Sequence, residues 1–413
     1  MVTEEVPGAS SVSAAFWIGS GSREEDGASY GASHFLEHLA FKGTARRSGP
    51  EIARSMDQRG GEMNAFTAQE HTVFYLRLLG EALDFGIDLL CDIITEPALA
   101  TSDIDLERDV ILDEILMHAD DPADVVAEAA SSALFGAHPL GRDVLGTAES
   151  IAGMDPGSIR GFFGTHYRPT NMVFAAAGAL NHDQVLAGLE PWMGHGGGQR
   201  PRREPPVESQ ERFVLIERPT EQAHVVVAWR APSAGASERL AMEVLDHIIG
   251  GGMSSRLFQE VRERRGLAYS VGSEWQQYSD AGSLFLYAAT APTRAAHVRE
   301  VLLEQASALV EKGVTEEEVA AAKEHLRAAQ LLGLEEPAAR MGRLGREQLL
   351  LGRVEPLEQR LASLERVSAA EVSELASAVL AAEPSVAAVG PFSGEDLVQR
   401  NRRGKKGGSH ERS

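Results

Sequence analysis

Apolar residues recur along the first part of the chain with two different periods, which predict both strands and helices. Residues 10–19, SSVSAAFWIG, have the composition of a β-strand and run into a Gly- and Ser-rich loop. Residues 31–42 place apolar side chains among polar ones at helical spacing. Residues 60–80 indicate two strands that turn near Gln69. The pattern therefore favours mixed α and β structure.

Longer helical periods follow these strands. We predict helices over residues 81–95 and 101–118, the second ended by the aspartates and Pro122 of ADDP. Residues 171–180, NMVFAAAGAL, predict a late strand. This order of elements describes a first half of about 200 residues.

The same order then starts again. Residues 194–209 have no apolar period and are rich in Gly, Pro and Arg, which indicates a linker. Beyond it, residues 223–232, AHVVVAWRAP, mirror residues 10–19, and a helix and a strand pair follow. We predict an α+β protein of two homologous α/β halves, each a mostly antiparallel mixed sheet covered by helices, that form a clamshell. The predicted parts are an N-terminal half (1–195), a linker (196–209), a C-terminal half (210–398) and a basic, disordered tail (399–413).

Composition narrows the possible classes of function. The 413 residues carry 39 Lys and Arg against 61 Asp and Glu, a formal charge of −22, which disfavours binding to nucleic acid or to an anionic membrane. Cys91 is the single cysteine, so neither an internal disulfide nor a cysteine-rich zinc site can form. The first residues lack a secretory-signal pattern and no apolar run is long enough for a membrane span. We therefore expect a cytoplasmic protein.

The segment HFLEHLAFKGT, residues 34–44, holds the first candidate chemistry. His34 and His38 are four residues apart and share one face of the predicted helix, which suits two ligands of one metal ion. Glu37 is placed to act as general base on a zinc-bound water. The simpler interpretation is an amphipathic helix that happens to hold two histidines, because a catalytic zinc needs a third protein ligand.

The helix predicted over 101–118 supplies acidic candidates for that ligand. Glu107 and Glu114 are two turns apart and share a face, whereas Asp113 points about 100° away from Glu114. One glutamate would bind the metal and the other would orient a ligand.

The second copy of the repeat keeps a histidine at the position of His38 and differs at the other positions. When the two copies are aligned, the HxxEH residues His34, Glu37 and His38 overlie Glu243, Asp246 and His247. Glu107 and Glu114 overlie Ala321 and Ala328. We therefore predict that the second half keeps the shape of the first half and has lost its set of polar candidate residues.

HFLEHLAFKGT together with ERDVILDEI resembles the inverted-motif zinc peptidases of the pitrilysin and insulin-degrading enzyme family. The length and duplication resemble the bacterial single-chain members of its processing-peptidase-like branch. The resemblance implies one Zn²⁺ per chain held by His34, His38 and Glu114, with Glu37 as base and Glu107 assisting. It favours Glu114 over Asp113 as the third ligand.

The resemblance also implies substrate contacts. GGEMNAFTAQEHT is similar to an edge strand to which the family's peptide substrates add, with Asn64 and Ala65 as contacts. VRERRGLAY is similar to the family's Arg/Tyr pair, here Arg262 and Tyr269, which would bind the scissile carbonyl. We expect an endopeptidase, a homodimer, that cleaves extended or unfolded peptides in a chamber between its halves. The alternative is a non-catalytic scaffold subunit of the same fold.

Overall fold

The computed structural model describes residues 1–192, 194, 202–207 and 212–392. The predicted tail, 399–413, and much of the predicted linker lie outside the described residues.

Strands and helices occur where the two apolar periods predict them. The strands are β1 (Val2–Glu5), β2 (Ser11–Ile18), β3 (Glu62–Thr67), β4 (Thr72–Leu79), β5 (Met172–Gly178), β6 (Phe213–Glu217), β7 (Ala223–Ala231), β8 (Ala268–Gln277), β9 (Gly282–Thr290) and β10 (Ser385–Gly390). The helices are α1 (Ala32–Ala40), α2 (Gly49–Asp57), α3 (Leu83–Thr95), α4 (Thr101–Asp120), α5 (Pro122–Phe135), α6 (Ala148–Gly153), α7 (Pro156–His166), α8 (His182–Leu189), α9 (Arg239–Gly250), α10 (Ala295–Lys312), α11 (Glu316–Gly333), α12 (Pro337–Leu351), α13 (Leu357–Arg366) and α14 (Ala369–Leu380).

The two sheets have the same strand order. The first is β1-β5-β2-β4-β3 and the second is β6-β10-β7-β9-β8. In each sheet one outer pair, β1 with β5 or β6 with β10, is parallel, and the other pairs are antiparallel. The predicted α+β class and the duplication into two homologous halves are therefore confirmed.

The described chain forms two compact units that are discontinuous in sequence. Of the described residues, the first contains those within 1–117, 142–205 and 328–357, and the second contains those within 118–141, 206–327 and 358–392. Each unit thus includes a helix from the other half of the sequence, α12 in the first and α5 in the second. This differs from the predicted continuous halves, because the sequence pattern of α5 and α12 does not show which sheet they cover.

The first sheet needs a layer on both faces because its central strand β2 is buried along almost its whole length. Phe16 faces the core formed with α3, and its neighbour Trp17 faces Leu344 of α12. Gly345 allows this approach, because a Cβ there would lie 2.0 Å from Trp17 Nε1.

The second unit repeats this arrangement around β7. Val225 and Val227 belong to a core shared with α9, α10 and α14. Val226 and Ala228, on the opposite face, pack against α5. Among the described residues, no helix is both long enough and apolar enough to cross a bilayer.

Candidate metal centre

The helix α1, which carries the HxxEH segment, is held at its first turn. Gly31 precedes it with φ +95°, a backbone conformation that favours glycine, and a Cβ there would lie 2.5 Å from Ile151 Cδ1. The buried Glu25 carboxylate accepts hydrogen bonds from Gly31 N (2.8 Å) and Ser33 N (2.7 Å), which are among the otherwise unbonded donors of a helix N-terminus. Burial raises the pKa of Glu25 to about 7, in spite of these bonds.

A second helix, α4, lies against α1 through a shared apolar contact. Phe35 and Leu39 of α1 belong to one buried cluster with Ile104 and Ile111 of α4. Glu107 and Glu114 share a face of α4, which this packing turns toward the histidines of α1.

His34, His38 and Glu114 converge on one point. Glu114 Oε2 lies 3.5 Å from His34 Nε2 and 3.4 Å from His38 Nε2. The two imidazole rings stand edge to face, with centroids 4.7 Å apart and an interplanar angle of 72°. Asp113, the other acidic candidate, is exposed and lies outside this group.

The geometry of this group fits a zinc ion. Donors about 2.0–2.2 Å from a tetrahedral zinc stand roughly 3.3–3.6 Å apart, which agrees with both distances from Glu114 Oε2 to the imidazole nitrogens. All three donor atoms lie within 4.8 Å of one another. Two imidazole nitrogens and one carboxylate oxygen are ligands that zinc accepts. Within the part of the chain that the structure describes, this is the one group of three or more such side chains with its donor atoms within 4.8 Å of one another.

Glu107 contacts His38 at Nδ1, the ring nitrogen that does not face Glu114. Its Oε2 is 3.0 Å from His38 Nδ1, and its Oε1 contacts Lys42 Nζ. A carboxylate at Nδ1 favours the tautomer with its proton there, which leaves the Nε2 lone pair for a metal. Lys42 balances the charge of Glu107, which is only 4% exposed.

Glu37 lies beside the group and is held by a different element. Thr67, the last residue of β3, donates a hydrogen bond of 2.5 Å from Oγ1 to Glu37 Oε2. Burial raises the pKa of Glu37, and nearby Glu114 adds to this, while the Thr67 hydroxyl and His38 act in the opposite direction.

The predicted substrate strand is an edge of the first sheet. β3 pairs with β4 on one side, and no strand among the described residues pairs with the other side. Ala65 is buried, whereas Asn64 is exposed and accepts a hydrogen bond from Ala65 N (2.8 Å). Both predicted contacts therefore lie on a strand with an open edge.

Arg262 and Tyr269, in the second unit, contact each other. Arg262 belongs to a π-helical segment, Phe258–Arg264, and its guanidinium lies 4.1 Å from the centroid of the Tyr269 ring. It also donates to Tyr269 O at 3.2 Å, and Tyr269 is 75% exposed.

The counterparts of the HxxEH residues in α9 take part in other contacts. Glu243 forms an ion pair with Arg360 at 2.7 Å. Asp246 accepts a hydrogen bond of 2.6 Å from Ser273. The His247 ring stacks on His325, with centroids 4.2 Å apart.

Three residues around the centre were missed by the sequence analysis. Lys42 and Thr67 lie in segments that it singled out, but no spacing links their side chains to Glu107 or Glu37. Glu25 lies in a loop without periodicity, so nothing in the sequence predicts that it holds the first turn of α1.

Comparisons with known proteins agree with this geometry. Residues 1–148 match the family described as "Insulinase (Peptidase family M16)", and residues 154–326 match "Peptidase M16 inactive domain". A relative from Mycobacterium tuberculosis (strain H37Rv) is 43% identical over 397 residues, 95% of this chain and 91% of the relative. A relative from Bacillus subtilis is 35% identical over 393 residues, 95% of this chain and 96% of the relative. Both carry the name of an uncharacterized zinc protease.

Solved structures share the fold at low sequence identity. A peptidase M16 inactive domain from Pseudomonas fluorescens has a TM-score of 0.88 at 20% identity and covers 95% of each chain. A protease from Helicobacter pylori has a TM-score of 0.86 at 18% identity, covering 94% of this chain and 95% of the other. A chain in a structure of complex III2 from Candida albicans has a TM-score of 0.83 at 20% identity, covering 97% and 96%.

The class of protein is therefore a zinc metalloprotease. The chain belongs to the insulinase family, peptidase family M16, as the predicted resemblance implied.

Proposed function

We propose that this protein is a zinc endopeptidase whose centre is formed by His34, His38 and Glu114, with Glu37 as general base. The observation that supports this most is the convergence of the three donor atoms, with Glu114 Oε2 at zinc-like distances from both imidazole nitrogens. The Glu37 carboxylate lies on the same helix as both histidines. The presence of one such group among the described residues supports one zinc per chain.

Zinc and Glu37 would have different roles in the reaction. Bound zinc supplies Lewis-acid polarisation of a water molecule and of the scissile carbonyl. Glu37 accepts the proton of the attacking water and transfers it to the amine that leaves when the peptide bond breaks. Because burial raises the pKa of Glu37, its carboxylate binds that proton more readily than an exposed one does.

Glu107 and Lys42 act through His38. Glu107 fixes the imidazole orientation and tautomer through Nδ1, and the ammonium of Lys42 neutralises the buried carboxylate. Neither residue has to touch the substrate for this role.

The substrate class follows from the edge strand. An extended peptide that adds to β3 is bound through its backbone, which suits unfolded segments of varied sequence. Asn64 and Ala65 are the proposed contacts. Arg262 and Tyr269 remain candidates for binding the scissile carbonyl, on the resemblance and on their mutual contact. The chamber, the homodimer and the cytoplasmic location remain expectations from the sequence.

The test combines metal content with cleavage. Purified protein should contain one zinc per chain and cleave an internally quenched, unstructured peptide. Glu37→Gln should keep the zinc and lose about 10²- to 10⁴-fold in kcat, because general-base assistance is removed and the ligands remain. Stoichiometric zinc without cleavage of any unstructured peptide would favour the scaffold alternative.

A further inference from the structure

Thr67 lies on the strand with the open edge and contacts Glu37, the proposed base. It is the last residue of β3, and its side chain lies on the same face as Ala65, which is buried in the core under α1. From this face Oγ1 donates a short hydrogen bond of 2.5 Å to Glu37 Oε2.

The main-chain N–H and C=O groups of Thr67 lie in the plane of the sheet, and their direction follows from the pairing of β3 with β4. Ala68 N donates to His71 O at 2.8 Å, which is one bond of a hydrogen-bonded pair at the closed end of the β3–β4 hairpin. Ala68 O accepts from Ser22 N at 3.4 Å. Hydrogen-bonded and non-hydrogen-bonded pairs alternate along antiparallel strands. Thr67, opposite Thr72, is therefore in a non-hydrogen-bonded pair, and its N–H and C=O point to the open edge.

Ala65, two residues earlier, supports this alternation. Its N–H is not used by β4 and instead donates to the side-chain oxygen of Asn64 at 2.8 Å. The Asn64 side chain thus accepts from an N–H at the open edge of β3. A strand added to that edge could accept from the same N–H.

We infer that Thr67 is a positioning residue that couples peptide addition on β3 to the orientation of Glu37. This inference rests on the proposed peptidase function. A peptide that hydrogen-bonds the main chain of Thr67 fixes the end of the strand, and with it the hydroxyl that already donates to Glu37 Oε2. The other carboxylate oxygen is left to accept the proton of the attacking water.

This arrangement predicts an effect on turnover rather than on binding. The Thr67 main chain can still pair with a peptide when the hydroxyl is removed, so peptide affinity should persist. The carboxylate of Glu37 loses one charge-assisted hydrogen bond, so fewer bound complexes should have the base in position.

The experiment compares Thr67→Val, Thr67→Ser and Thr72→Val in the zinc-loaded full chain, with an internally quenched peptide as substrate. Thr67→Val keeps the shape and removes the hydroxyl, and Thr67→Ser restores it. Thr72→Val is the matched control, because it removes a hydroxyl from the facing residue, which donates to Ser20 O instead of Glu37. We expect kcat to fall about ten- to hundredfold in Thr67→Val, with KM and zinc content within twofold of wild type. Thr67→Ser and Thr72→Val should stay within about threefold of the wild-type kcat.

A binding readout separates the two possible roles of the hydroxyl. In the Glu37→Gln background, the affinity for a fluorescent peptide, measured by anisotropy, should not change when Thr67→Val is added. A tenfold loss of affinity there, or a Thr67→Ser variant as slow as Thr67→Val, would overturn the inference. So would a Thr67→Val variant with the wild-type kcat. An inactive wild type would instead refute the peptidase proposal itself, and the inference with it.

Discussion

Replacing Glu107 tests how far zinc binding depends on a residue that is not itself a ligand. Glu107 is 4% exposed and contacts His38 Nδ1 at 3.0 Å and Lys42 Nζ. Glu107→Gln keeps the size of the side chain and an oxygen that can accept from Nδ1. It removes the negative charge that faces His38 Nδ1 and balances Lys42.

The size of the effect follows from these contacts. Loss of a carboxylate that orients a metal-bound histidine weakens metal affinity by about 10- to 100-fold, which is about 1.4 to 2.7 kcal/mol. We expect Glu107→Gln near the lower value because its amide keeps one hydrogen bond. Glu107→Ala should lie near the upper value because it also leaves the Nδ1–H of His38 without this acceptor.

The assay is zinc competition against a chromophoric chelator at pH 7.5. Asp113→Asn is the matched control, since it makes the same charge change on α4 beside Glu114 at an exposed position, and its zinc affinity should stay within about threefold of wild type. Equal zinc affinities for wild type, Glu107→Gln and Glu107→Ala would refute the orienting role of Glu107.

Two further predictions concern stability. The pKa of Glu25, raised from 4.5 to about 7, means that the folded protein binds a proton that the unfolded chain releases. The resulting stability, on the order of 3 kcal/mol, is present below pH 4.5 and lost as the pH rises through 7. Glu25→Gln should flatten this part of the pH profile in urea unfolding, and an unchanged slope would contradict the assignment. On α12, Gly345→Ala should lower the free energy of unfolding by about 1–3 kcal/mol because its Cβ meets Trp17, whereas Gly342→Ala, with no atom within 4 Å, should raise it by about 0.5–1 kcal/mol. Similar unfolding midpoints for the two alanine variants would argue against that contact.

The elements around the metal group follow from local sequence. The helical period of residues 31–42 and the two-turn spacing of Glu107 and Glu114 are short-range properties, so they predict α1 and the facing side of α4. The choice between Glu114 and Asp113 needed the resemblance, and in the structure Asp113 is exposed and Glu114 lies with the histidines.

Long-range contacts could not be predicted in this way. The sequence does not show that α12 covers the first sheet, because burial of both faces of β2 requires a second layer without specifying its source. The contacts of Glu25 and Thr67 depend likewise on how a loop and a strand end meet α1. These residues carry no motif of their own, since a carboxylate near a helix start and a threonine at a strand end are common.

The central claim is that zinc is held by His34, His38 and Glu114. Anomalous diffraction from crystals of the zinc-loaded protein, with data on both sides of the zinc absorption edge, tests it most directly. We predict one strong peak per chain, about 2.0–2.2 Å from His34 Nε2, His38 Nε2 and a carboxylate oxygen of Glu114. A zinc peak bound by other residues, or coordinated by Asp113 in place of Glu114, would contradict the account.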